Sequence, residues 1–133
     1  MAIDFANYQG REQAFVKHTF LDKYLPALFG RVGWAFNDIV YVDGFAGPWQ
    51  SSAGEAFGDT SFGIALRHMT EQKRFFASKQ RNVRFRAFLV EQDDHAFAQL
   101  QEAARQFPEI EVTPLHGRME NYSATIASSI PRV

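Results

Sequence analysis

The sequence contains no cysteine, which excludes disulfide bridges and thiolate metal sites and fits a reducing compartment. It also lacks an excess of either charge, with 14 basic residues against 15 acidic ones and a formal net charge of -1. A globally basic nucleic-acid binder is thereby excluded, but a local basic patch is not. No apolar run approaches the roughly 20 residues that a membrane-spanning helix needs. Met1-Ala2-Ile3-Asp4-Phe5 lacks the basic-then-apolar order of a secretory signal. Internal repeats and low-complexity stretches are missing too. The four histidines, His18, His68, His95 and His116, are scattered without a paired helical spacing, so a metal site finds no support. No Gly-x-Ser-x-Gly stretch supports a nucleophile elbow. The expectation from these absences is one soluble, cytoplasmic domain without a resident metal.

What is present is enough for a modest core. Apolar residues make up 46% of the 133 positions, and 14 of them are phenylalanine; that composition argues against disorder. From Arg11 to about Phe29 an apolar stripe through Phe15, Phe20, Leu21, Tyr24, Leu25 and Leu28 reads as a helix, with Gly30 as its stop. Pro26 inside the stripe predicts a kink or break near Leu25. Arg31 to Asp38 reads as a connector in which Trp34 and Phe36 cap the core. Ile39 to Val42 is a short buried strand that ends at Asp43, and Gly44 and Gly47 follow in a turn. A long Ser/Ala/Gly-rich loop from Gln50 to Asp59 precedes a second helix. That helix is capped by Asp59, Thr60 or Ser61 and runs to about Phe76.

Val83 to Val90 reads as a second strand, with Arg84 and Arg86 on one face, Val83 and Phe85 on the other, and a wholly apolar second half that ends at Glu91. Asp93 or Asp94 caps a third helix that reaches Phe107 before Pro108 ends it. Ile110 to Leu115 is a third strand, followed by the turn His116-Gly117-Arg118-Met119 and a last helix from about Glu120 to Ile130. Helices alternating with strands in this order predict an α/β fold with a parallel sheet.

Three parallel strands place Asp43, Glu91 and the Gly117 turn along one edge of the sheet, the edge where open α/β sheets bind ligands. A carboxylate at a strand end can accept hydrogen bonds from hydroxyl or amino groups; equally, Asp43 can simply stabilise its turn. Glu91 suits the vicinal hydroxyls of a ribose, and Met119 offers an apolar flank to a base. A dinucleotide fits less well. Its pyrophosphate needs a glycine turn leading directly into a helix, and Asp43 would face that pyrophosphate unfavourably. S-adenosylmethionine has no phosphate to repel. Lys17 and His18, taken alone, read as a solvated lysine beside a partly buried histidine. Between positions 67 and 86 seven basic residues are opposed only by Glu71, with Phe75 and Phe76 interleaved. Such a segment either holds a phosphate backbone, through Arg67, Lys73, Arg74, Lys79 and Arg81, or is a solvated helix end.

Tyr41-Val42-Asp43-Gly44-Phe45-Ala46-Gly47-Pro48 resembles the first motif of class I S-adenosylmethionine-dependent methyltransferases. More narrowly, with Lys17-His18 and the following Leu21, Lys23, Tyr24 and Leu25, it resembles the three-Cys-motif partner protein family, over about Phe15 to Tyr122. The resemblance implies a Rossmann-like three-layer sandwich whose cofactor-binding half spans residues 38–133, after a helical lead-in at 11–30. It implies that Asp43, Gly44, Phe45, Ala46, Gly47 and Pro48 line the methionine and ribose part of S-adenosylmethionine. Glu91 would hold the ribose hydroxyls, Arg118 and Met119 would flank the adenine, and Lys17 and His18 would close the site. Two positions depart from the pattern: Trp49 stands where a third glycine is common, and Arg118 where many relatives are acidic. Only the first three strands of a methyltransferase sheet are present, and no Asp-Pro-Pro-like catalytic motif occurs before Val133. The expectation is the N-terminal part of one methyltransferase domain, completed by further sequence or by a partner chain and acting on nucleic acid. The alternative is a non-catalytic interaction or nucleic-acid-binding module on the same fold.

Overall fold

The computed structural model describes residues 12–44 and 61–130. Seven elements follow in order: α1 (Glu12–Ala35), β1 (Asp38–Asp43), α2 (Ser61–Ser78), β2 (Arg84–Glu91), α3 (Asp94–Arg105), β3 (Glu111–His116) and α4 (Met119–Ser129). The strands form a parallel sheet in the order β1-β2-β3, in register from Ile39 opposite Phe85 and from Ala87 opposite Val112. Beta-2 lies in the middle because its run Ala87-Phe88-Leu89-Val90 is apolar on both sides, and all four residues are buried.

The side-chain alternation sorts the helices into layers. Ile39, Phe85, Ala87 and Leu89 face a large core with Leu25 and Phe29 of α1, Phe62, Leu66, Met69 and Phe76 of α2, and Leu100 and Ala103 of α3. Phe88 and Val90 point the other way and pack with Ile126 of α4, beside Val40, Val42 and Leu115. Helices therefore cover both faces, as in a partial Rossmann-like sandwich. Asp93 caps α3, accepting a hydrogen bond from the Ala96 N–H at 2.8 Å. Among the described residues no helix is long and apolar enough to cross a membrane.

The first helix departs from its sequence reading. Alpha-1 runs through Pro26 and past Gly30 to Ala35 without interruption. Proline removes one backbone hydrogen bond, to the carbonyl of Asp22, yet Leu25 and Phe29 on either side are buried against α2 and the sheet. Tertiary packing outweighs the local breaker. Gly30 does not stop the helix, because the next turn has its own contact with α2. Gly33 lies so close to Phe76 that a Cβ there would sit 2.2 Å from a ring carbon. Arg31 to Ala35 is thus helical rather than a connector, and Trp34 and Phe36 are exposed instead of capping the core. Alpha-3 stops at Arg105, two residues short of the expected end, although Phe107 is still buried.

Two polar clusters lock the layers. Between α1 and α2, Asp22 accepts from the Arg67 guanidinium and lies 2.7 Å from His68 Nε2. At the N-terminal ends of the strands, Arg86 forms a fork on Asp38, with Nε 3.2 Å from Oδ1 and Nη2 3.1 Å from Oδ2. Its Nη1 donates to the Ser129 carbonyl of α4 at 2.8 Å. One guanidinium so ties β1, β2 and α4 together.

Candidate functional site

The C-terminal ends of the three strands build a cleft of about 350 Å³, lined by Gly44, Glu91, Gln92, Gly117, Arg118, Met119 and Glu120. That volume lies at the lower end of the range of small-molecule sites, roughly 300 to 1,000 Å³. Beta-2 delivers Glu91 as its last residue, and the turn after β3 supplies the opposite wall. Gly117 joins the two: its N–H donates to the Glu91 carbonyl at 2.9 Å. Its φ of +145° is one that L side chains rarely adopt, and an added Cβ would lie 2.9 Å from the Tyr122 ring. Tyr122 in turn donates its hydroxyl to the His116 carbonyl, fixing the start of α4. In the same lining Gly44 packs against Met119, whose Cγ would stand 3.2 Å from a Cβ on Gly44. A larger residue at 44 would require the Met119 side chain to give by a few tenths of an ångström.

The electrostatics are one-sided. Burial raises the Glu91 carboxyl above the usual carboxylate range, and the nearby charges of Asp93 and Asp43 raise it further. Backbone groups of Gln92 and Asp93 partly offset this by hydrogen bonding. On β1, Tyr41 donates to Asp43 Oδ2 at 3.3 Å. Burial, then the Asp43 charge and this bond, push the Tyr41 hydroxyl well above its ordinary value, so it remains a donor throughout the physiological range. At the rim His116 stacks on Phe97, with centroids 4.7 Å apart and planes 17° from parallel. Its Nε2 lies 2.8 Å from Asp94 Oδ1 and 3.2 Å from the Gln92 carbonyl. Both partners are acceptors, so Nε2 carries the proton. The arrangement offers acceptors for hydroxyl groups and an apolar wall at Met119, which the missing side chain of Gly44 lets pack close. Among the described residues the cleft's one lining cation, Arg118, lies 3.6 Å from Glu120, so an anionic phosphate would meet more negative than positive charge there.

Of the residues singled out in the sequence, Gly44, Glu91, Arg118 and Met119 come together in this cleft, and Asp43 lies close enough for its charge to act on Glu91. Arg118 is exposed, with Nη1 3.6 Å from Glu120. Lys17 is exposed and His18 is buried on α1, and neither lines the cleft. Phe45, Ala46, Gly47 and Pro48, the loop to Asp59 and the proposed caps Asp59 and Thr60 lie outside the described residues. Sequence reasoning missed Gln92 and Glu120 as lining residues; the only signal for each was adjacency to a strand end or turn already chosen.

The basic segment, open in the sequence between a phosphate-binding surface and a solvated helix end, makes several ion pairs within the fold. Arg67 pairs with Asp22, Arg74 with Glu109, Arg84 with Glu111 and Arg86 with Asp38, while Lys73 donates to the Val83 carbonyl. Much of its charge is thus matched inside the fold. Among the described residues no group of three or more histidine, aspartate or glutamate side chains gathers to hold a metal ion. No family model and no curated protein sequence matches this chain.

Proposed function

We propose that this cleft binds the nucleoside end of S-adenosylmethionine and that the chain is the cofactor-binding portion of a class I methyltransferase, as its resemblance to the three-Cys-motif partner family implies. The observation that carries the reading is the juxtaposition of Glu91 with Met119 and Gly44 across a cleft at the carboxyl ends of parallel strands. Ionised Glu91 accepts both vicinal ribose hydroxyls, and Met119 flanks the base. The fit covers the nucleoside; the residues that would take the methionine end follow Gly44 in the motif. When bound, S-adenosylmethionine supplies a methyl group activated on a sulfonium. The acidic strand ends favour such a cation and disfavour a pyrophosphate.

Titration calorimetry of the full chain with S-adenosylmethionine and its demethylated product tests the reading. Both give heat, and adenosine nucleotides that carry phosphate bind at least about tenfold more weakly, because like charges meet at Glu91. No heat from either nucleoside ligand, with circular dichroism showing a folded chain, overturns it.

A second reading rests on the sheet itself. Among the described residues β1 hydrogen-bonds only to β2, and an open strand edge is a ready surface for pairing with another chain. Light scattering separates the two, since an interaction module self-associates or captures a strand whether or not a nucleoside is present.

A further inference from the structure

The last turns of α1 and α2 lie side by side at the opposite end of the sheet from the cleft, and they expose aromatic rings. Trp34 is 55% exposed, Phe36 48% and Phe75 42%. Trp34 meets Phe75 and the buried Phe76 edge to face, at 6.3 and 5.0 Å between centroids. Cations sit on both exposed rings: Lys79 Nζ lies 5.8 Å from the Phe75 centroid and Arg81 Cζ 5.9 Å from that of Trp34. The other arginines of the segment pair with carboxylates, whereas neither Lys79 nor Arg81 does so among the described residues. Arg81 instead donates to the carbonyls of Gly33 and Phe36, which anchors it and leaves its charge uncompensated. Arg31, exposed one helical turn before Trp34, adds another cation. No acidic residue occurs from Gly30 to Asn37 or from Gln72 to Asn82.

The turn that presents these cations is itself unusual. Gln80 has φ of 60°, the left-handed conformation that usually falls to glycine at a helix end. The Arg81 N–H closes the turn on the Phe76 carbonyl at 2.9 Å. A glutamine held there places Lys79 and Arg81 on either side of the aromatic pair.

We propose that this surface binds a short single-stranded stretch of nucleic acid, with bases stacking on Trp34 and Phe75 and phosphates meeting Lys79, Arg81 and Arg31. An acidic peptide would use the cations and leave the rings idle; a base has a π face for each ring and a phosphate for each cation. The exposed contact between Lys79 and Phe75 is weak, so an incoming base displaces the ammonium, which then turns to the neighbouring phosphate. The surface stands independently of the methyl-donor reading, since it lies a full strand length, roughly 20–25 Å, from the cleft.

The test follows Trp34 fluorescence in the full chain carrying Trp49→Phe, so that one indole reports. Titration with a single-stranded oligonucleotide of about a dozen residues quenches Trp34 at low salt. Affinity falls steeply as salt rises, and Lys79→Ala lowers the slope of log affinity against log salt by about one. Phe75→Leu, which keeps the turn apolar, weakens binding about tenfold with the slope unchanged. Thermal melts confirm that each variant is folded. The proposal is overturned if the oligonucleotide does not quench, if both variants bind as the parent does, or if polyglutamate or anionic vesicles bind more tightly than the oligonucleotide.

Discussion

The two ends of this sheet treat charge in opposite ways. At the N-terminal ends of the strands three arginines are matched with carboxylates, while Lys79 and Arg81 beside them have no such match among the described residues. Arg84 grips Glu111 at 2.5 and 2.6 Å, Arg74 holds Glu109, and Arg86 forms its fork on Asp38. The carboxyls of Glu109 and Glu111 are accordingly held below the usual range, first by hydrogen bonds from their arginines. At the C-terminal ends like charges are gathered, and the Glu91 carboxyl is raised rather than lowered, by burial and then by Asp93 and Asp43. Matched pairs serve the scaffold. A crowd of carboxylates works against folding and points to a site kept for something outside the chain.

Breaking the matched end has the largest expected effect. Arg86 is 11% exposed in its side chain and Asp38 23%, so Arg86→Ala leaves Asp38 only its longer contact with Arg84, at 3.9 Å, and frees the Ser129 carbonyl. A loss of about 3 kcal/mol is expected, the low end for a broken buried pair because Arg84 remains, read as a lower urea midpoint. Nucleoside affinity per folded molecule stays unchanged. Gly33→Ala comes next: its Cβ collides with Phe76, a fully buried ring, and overpacking of this kind costs about 1–3 kcal/mol by thermal melt.

Glu91→Gln at the other end reverses the pattern, with binding suffering and folding gaining. Because the folded-state carboxyl is raised, the native protein holds its proton more tightly than the unfolded chain. Its contribution to stability is therefore full at low pH and declines as pH rises from the ordinary glutamate range to the raised value. Proposed ribose binding needs the ionised form, so affinity climbs across the same window. The variant should flatten both profiles and lower nucleoside affinity by about tenfold, as loss of a charged acceptor implies. A variant that binds as tightly as the parent at every pH would remove Glu91 from the site. The smallest effect is expected at Gln80, where glycine relieves the left-handed backbone but loosens the unfolded chain, a net gain of about 0.5 kcal/mol.

Much of the fold was legible because its signals are local. The apolar runs Ile39–Val42 and Ala87–Val90 read as strands, although only Ile39 of the first is fully buried because β1 has one described neighbour, and Asp93 sits where a helix cap belongs. Alpha-1 was misjudged at Pro26 and Gly30 for the converse reason. Its length is set by Phe76, 43 residues further on in the sequence from Gly33, and no local pattern encodes that contact. The same holds for charge: the basic segment reads as a patch in one dimension, but four of its five arginines find Asp22, Asp38, Glu109 and Glu111 only in three. At the site, Glu91 and Gly117 were readable as strand-end residues. Gly44 against Met119, and Tyr122 under Gly117, are contacts between distant segments that only the fold supplies.

Proline also stands within β3, as Pro114 opposite Leu89. It has no amide hydrogen to offer, and strands tolerate it where that side of the backbone looks away from the sheet. The outer rim of β3 therefore presents an interrupted row of donors, and a strand laid against it would forfeit a bond midway. Beta-1, from Asp38 to Asp43, has no such gap. Among the described residues the sheet is thus directional: β1 offers an unbroken edge, whereas the edge of β3 is interrupted at Pro114.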